Sequence, residues 1–220
     1  MKKLNVIFPF FGDTLGGSHI STVLLVKELE KPESHINPVV VLHKEGRLKE
    51  YLDSVGVFYR LLILDNELKE GMSYFKKGRS LYKSSTQLKQ FLQANKVDIV
   101  HTNDIKEHLV WLFACKYAGV MHLWHQRSVL KNTKVAILSL LSSKVLTVSN
   151  FCKKELAFPL SYLAKVVYDP VFDDHLKFET PDYKLHFFND LGIPPTCKIL
   201  CWVANITVQK RPLDFIRLAQ

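Results

Sequence analysis

Apolar residues come in short, nearly unbroken runs, and between the runs they recur every three or four positions. The first run, Leu4-Asn5-Val6-Ile7-Phe8-Pro9-Phe10, has the continuous hydrophobicity of a strand covered on both faces, as in a parallel sheet. A turn of small residues, Asp13–Gly17, follows. From Ser18 to about Glu30 the apolar positions Ile20, Val23, Leu24 and Leu29 keep helical spacing, with Ser18 placed to cap the helix. The alternation then repeats. Strands are expected at 36–42, 58–64, 97–101, 121–125, 144–148 and 165–168, and helices at 47–54, 77–95, 105–117, 135–141 and 151–157. So regular an exchange of the two periods predicts an α/β fold with a doubly wound, mostly parallel sheet of about seven strands and right-handed crossovers.

The pattern changes after Pro170. Residues 171–196 hold Pro181, Pro194 and Pro195 with Asp173-Asp174, which reads as an interdomain connection. A new strand, Ile199–Val203, and a helix at Pro212–Gln220 then follow. One strand and one helix cannot bury their own faces. The expected organisation is therefore a Rossmann-like domain over 1–170, a connection over 171–196, and at 197–220 the first strand, turn and helix of an incomplete second domain, as in a truncated chain.

The chain has 220 residues, 47% of them hydrophobic and 23% charged. That excludes a disordered or fibrous chain. No apolar run reaches membrane-spanning length, and the short run after Lys3 does not make a signal peptide. Thirty Lys and Arg against 21 Asp and Glu give a net charge of +9, which suits anionic lipid, nucleic acid or phosphorylated substrates. The basic residues are dispersed and no nucleic-acid motif is present, so no nucleic-acid partner is expected. The four cysteines lack metal-ligand spacing; free, mostly buried thiols are expected, and no metal or cofactor.

In open α/β sheets ligands sit beyond the carboxyl ends of the strands. Four segments fall there. Gly16-Gly17-Ser18, with His19, joins the first strand to the first helix and could let an anionic group approach the backbone. Asp98–Asn103 ends a strand in His101, Thr102 and Asn103. Trp124–Ser128 ends the next in His125, Gln126 and Arg127. Lys210 and Arg211 stand at a turn before a helix, where such a pair can clamp a diphosphate. Neither the dinucleotide fingerprint nor the Walker pattern occurs, which counts against a nicotinamide-dependent oxidoreductase.

The order of these segments resembles the GT-B glycosyltransferases, and glycosyltransferase family 4 in particular. The Gly16–His19 loop and the helix through Val23–Leu29, the Asp98–Asn103 segment, His125, Lys144–Phe151, Val166–Phe172, Leu191–Pro194 and Ile199–Lys210 carry the resemblance. It implies an N-terminal acceptor domain, a C-terminal donor domain, and retaining, metal-independent transfer from a nucleotide-sugar to a glycan or lipid-linked acceptor, as in polysaccharide biosynthesis. By the same resemblance His125 and Lys210 are catalytic, and Gly16, Gly17, Ser18, His101, Asn103 and Arg211 bind substrate. The sequence departs from the family at Asn205, where an arginine is usual, at Ala204 and Arg211, where glycines are usual, and at Tyr168-Asp169-Pro170. The acidic pair of the donor domain would lie after Gln220, so the chain alone is expected to be inactive. A cytoplasmic protein touching the anionic inner face of the membrane fits the charge. The alternatives are one chain of a split glycosyltransferase, or a non-catalytic α/β module for anionic lipid or nucleic acid.

Overall fold

The computed structural model describes residues 3–65, 71–130, 132–170, 186, 188–194, 196–204 and 206–218. The chain divides into two compact units, Met1–Pro170 and Val171–Gln220.

In the first unit β1 (Leu4–Phe10), α1 (Gly17–Leu29), β2 (Ile36–Leu42), α2 (Arg47–Val55), β3 (Tyr59–Leu61), α3 (Tyr74–Ala94) and β4 (Ile99–Thr102) alternate strictly. They are followed by α4 (Ile105–Ala118), β5 (Met121–Gln126), α5 (Thr133–Ser139), β6 (Lys144–Thr147), α6 (Asn150–Lys154), α7 (Leu160–Leu163) and β7 (Lys165–Val166). The seven strands form one sheet in the order β3-β2-β1-β4-β5-β6-β7, and every pairing is parallel. The expected fold class is thus the observed one. The edge strands are shorter than the apolar runs implied: β3 keeps three residues of 58–64, because only one side of its backbone has a partner.

Side-chain alternation along β1 divides the core. Val6, Phe8 and Phe10 pack against Val23 and Val26 of α1 and Leu48 and Leu52 of α2. Ile7 points the other way, toward Leu88 and Leu92 of α3 and Val110 and Trp111 of α4. A third cluster joins Trp124 and Val145 to Ala136, Leu156 and Leu160. Each fully buried aliphatic or aromatic side chain stabilises the unit by about 1.5–3 kcal/mol.

Helix ends follow from local chemistry. Asp104 caps α4 by accepting the Glu107 N–H at 3.0 Å, and Gly119 ends that helix at φ 69°. Ser149 caps α6 through the Cys152 N–H at 3.1 Å. Ser18 does not cap α1. The cap is Gly16, whose N–H is taken by Nδ1 of His19 at 3.0 Å, and Ser18 already lies within the helix.

One carboxyl is fully enclosed. Glu107 has no exposed side-chain area, and neither of its oxygens has a hydrogen-bond partner among the described residues. Burial pushes its pKa up, while nearby His43 pulls it down. His43 Nε2 stands 3.5 Å away, but that nitrogen accepts the Trp111 indole N–H at 3.1 Å, and Nδ1 lies 2.7 Å from the Leu62 carbonyl. Those two partners define a neutral ring, so the contact with Glu107 is not an ion pair.

In the second unit Ile199–Val203 is not a strand, contrary to expectation. An isolated strand has no ladder partner for its N–H and C=O groups, and here Leu200 and Val203 are exposed. A 3-10 turn, Val208–Lys210, leads into the helix Pro212–Leu218. The Trp202 indole donates to the Lys210 carbonyl at 3.2 Å. Cys197 and Cys201 are exposed, not buried, while Cys115 and Cys152 are buried as expected. Asn205 and most of the 171–196 connection lie outside the described residues.

Two glycines that the sequence reading passed over fix how the first two βα loops meet. Gly12 has φ +95°, and a Cβ there would lie 2.2 Å from the Lys44 carbonyl oxygen; one on Gly46 would lie 2.9 Å from the Gly12 oxygen. Gly56 also has positive φ (+69°) but open space around it. Gly12→Ala is expected to cost more than about 2 kcal/mol, because backbone overlap adds to left-handed strain, whereas Gly56→Ala costs only about 1 kcal/mol. Urea unfolding of the two variants checks this, and equal losses would contradict it.

Candidate functional site

The sheet reverses its winding between β1 and β4, and at such a switch point the loops on either side diverge and leave a crevice. The loop after β1 and the residues ending β4 and β5 therefore meet there. Arg127 follows directly on the last residue of β5.

Arg127 ties these elements together. Its Nε and Nη2 donate to Asn103 Oδ1 at 3.0 and 2.9 Å. Nη1 donates to Ser21 Oγ at 2.7 Å, and Nη2 to Thr22 Oγ1 at 3.0 Å, both on α1. Nη1 also pairs with Asp169, where the chain nears the end of the first unit. A guanidinium has five N–H donors. Five contacts use them all, so Arg127 serves as a clamp and has no donor left for a ligand. Burial lowers its pKa from the ordinary value, and Asp169 offsets this.

Beside the clamp, His101 Nε2 and His125 Nδ1 lie 3.1 Å apart with their rings stacked at 5.3 Å. Burial pulls His101 down to about 3, with the His125 and Arg127 charges acting in the same direction. Burial and then Arg127 bring His125 down to about 4, against a weaker upward pull from Asp169 and the Val167 backbone. Both rings are neutral at pH 7. His125 Nε2 is buried, and despite the Val167 influence it has no partner at hydrogen-bonding geometry among the described residues.

Thr102, behind this pair, contacts His108 Nδ1 at 2.6 Å, His122 Nε2 at 2.9 Å and the Leu123 carbonyl at 3.3 Å. All three contacts are met if Thr102 donates to the carbonyl and accepts from both rings. That leaves His108 Nε2 and His122 Nδ1 as bare acceptors in a dry interior. Burial holds His122 near 4 and His108 well below its ordinary value.

Of the expected site residues of the first unit, His101, Asn103 and His125 gather at the ends of β4 and β5, and Arg127 ties them to α1. His101 and His125 touch directly. Asn103 is buried, with its amide oxygen given to Arg127 and its Nδ2 donating to the His101 carbonyl at 3.3 Å. Gly16, at extended φ, and Gly17 are not required by backbone strain or crowding; a Cβ on Gly17 would meet nothing within 4 Å. Their bareness leaves the start of α1 open to an approaching group. His19 is held below its ordinary pKa chiefly by burial, against the pull of Asp104 and Asp13; its Nδ1 is already occupied as an acceptor. Lys210 and Arg211 belong to the second unit. Both are exposed, and Arg211 pairs with Asp214 at 2.5 Å. Arg211 adopts φ 51°, the left-handed conformation that favours glycine. Among the described residues no group of three His, Cys, Asp or Glu is placed to hold a metal ion, and no helix is long and apolar enough to cross a membrane.

Two outcomes are expected. Lysine cannot reproduce the five-donor fork, so Arg127→Lys should lower stability by about 2 kcal/mol and shift the His125 NMR signals; unchanged signals would contradict the clamp. The buried histidines keep folded-state pKa values below the unfolded value of about 6.5. Their contribution is complete above that pH and is lost as pH falls toward 4, by about 1.4 kcal/mol per pH unit for each ring. Calorimetry should show Tm falling from pH 7 to 5, and a flat profile would contradict burial of neutral rings.

No family model and no curated protein sequence matches the chain. Solved structures do. A glycosyltransferase from Rickettsia africae superposes with a TM-score of 0.66 at 17% identity, covering 88% of this chain and 51% of that one. Anabaena Alr3699/HepE, solved with UDP and glucose, gives 0.61 at 17% identity, covering 86% and 50%. A UDP-N-acetylglucosamine 2-epimerase gives 0.52 at 16% identity, covering 70% and 44%. The chain spans about half the length of the structures it matches. At this identity the likeness establishes the fold, the Rossmann-like α/β architecture of GT-B glycosyltransferases.

Proposed function

We propose that this chain supplies the acceptor-binding lobe, 1–170, of a retaining, metal-independent glycosyltransferase that moves a sugar from a nucleotide-sugar to a glycan or lipid-linked acceptor in polysaccharide biosynthesis. The observation that carries the reading is the buried, unpartnered Nε2 of His125, paired with His101 at the strand ends next to the switch point.

In such a transfer, negative charge grows on the departing diphosphate and positive character on the sugar ring. A neutral His125 can contact the sugar without repelling that ring, and its low pKa keeps it neutral across the physiological range. His101 fixes the orientation of His125. The Gly16-Gly17-Ser18 segment is where a phosphate or acceptor hydroxyl would approach the start of α1, and Arg127 joins Asn103 to α1 at Ser21 and Thr22. Lys210 and Arg211 would bind the diphosphate of the donor. HepE is solved with UDP and with UDP-glucose, which supports a nucleotide-sugar donor. The net charge of +9 extends the proposal to a cytoplasmic protein touching an anionic membrane face.

The second unit leaves Val203, Ile206, Val208 and Leu218 largely exposed. This supports a lobe whose remaining surface is covered by donor-domain residues, on the same polypeptide or on another as in a split enzyme. The chain alone is expected to transfer no sugar from UDP-glucose and to bind UDP more weakly than micromolar by calorimetry. NMR titration with acceptor oligosaccharides should perturb His125, Gly17 and Ser18. Turnover by the chain alone, or perturbations confined to the opposite edge of the sheet, would refute the reading.

A further inference from the structure

At the β7 edge of the sheet, α6 and α7 border an open cleft of about 470 Å³, lined by Asn150, Lys153, Lys154, Ser161 and Tyr162. No acidic side chain pairs with Lys153 or Lys154 among the described residues. Between Asn150 and Tyr168 the chain carries three lysines and a single acid, Glu155. Beside the cleft stand Phe158 and Tyr162, 82% and 81% exposed, their rings edge to face at 6.0 Å. Phe151 and Leu163 are exposed as well.

Single apolar side chains on a surface need no explanation, but a cluster of exposed aromatics next to unpaired cations does. Aromatic rings favour the boundary between headgroups and acyl chains, and lysines are drawn to the negative potential of anionic lipid. We propose that the α6–α7 corner is a docking surface for an anionic phospholipid bilayer, with Lys153 and Lys154 meeting headgroup phosphates at the cleft and Phe158 and Tyr162 entering the interface. The proposal rests on the membrane contact inferred above and names the surface that makes it; it does not depend on sugar transfer. The edge-to-face rings offer no pair of parallel platforms on which successive bases could stack, which favours lipid over single-stranded nucleic acid.

Sedimentation of the chain with phosphatidylcholine vesicles, with and without phosphatidylglycerol, tests this. Binding is expected only to the phosphatidylglycerol vesicles and should weaken as salt rises. Lys153→Gln and Lys154→Gln should each reduce affinity about fivefold. Phe158→Ser with Tyr162→Ser should also reduce it, with thermal unfolding unchanged because both rings lie outside the core. Equal binding to neutral vesicles, or full binding by all the variants, overturns the surface assignment and leaves the sugar-transfer reading standing. No binding by the unaltered chain at low salt overturns both the surface and the membrane contact. Tighter binding to single-stranded RNA than to vesicles, lost in the same variants, overturns it in favour of nucleic acid.

Discussion

Between β1 and β4 the sheet changes the direction in which it is wound, and the chain has to line the opening this creates with groups that neither collapse into it nor take up water at random. Arg127 meets that demand. Its planar fork reaches α1, the end of β4 and the segment after β7 at once, and each contact is a hydrogen bond from a charged donor, the stronger kind. Beside it, the histidine pair is neutral, and the guanidinium holds the end of β4, through Asn103, to α1.

The central strands were legible because a covered parallel strand is apolar along its whole length, and β1 and β2 show this directly. Elements at the edges were not. The run at 58–64 is as apolar as a central strand, yet only three residues pair, since apolar content does not reveal where a sheet stops. Ile199–Val203 has the composition of a strand, but among the described residues of its unit no other strand is there to complete it. Ser18 looked like a cap because capping chemistry is local; the actual cap depends on His19 turning back onto Gly16, which composition does not show.

The site was half legible. His101, Asn103 and His125 end adjacent strands, and strand ends can be located from periodicity. Arg127 was visible only as part of a polar segment. Its significance needs Ser21, Thr22 and Asp169, more than forty residues away on either side, and no pattern in a single sequence joins them. The available signal was the run of polar residues His125, Gln126 and Arg127 at the end of an otherwise largely apolar strand. Gly12 and Gly46 were missed for a similar reason: their role is a contact between two loops.

The interior also holds ionisable groups of opposite sense. The histidines favour folding when unprotonated, and Glu107 favours it when protonated. As pH falls the first set loses its contribution to stability while the second gains, so the two run in opposite senses.

Saturation of the Arg127 fork has a consequence for how this chain can vary. Each of Ser21, Thr22, Asn103 and Asp169 shares one hub, so loss of any of them leaves a donor of a largely buried cation without a mate. Their replacements cannot act as separate, additive events. The four positions form a single unit of inheritance, and a lineage that abandons the arginine is released from all of them together.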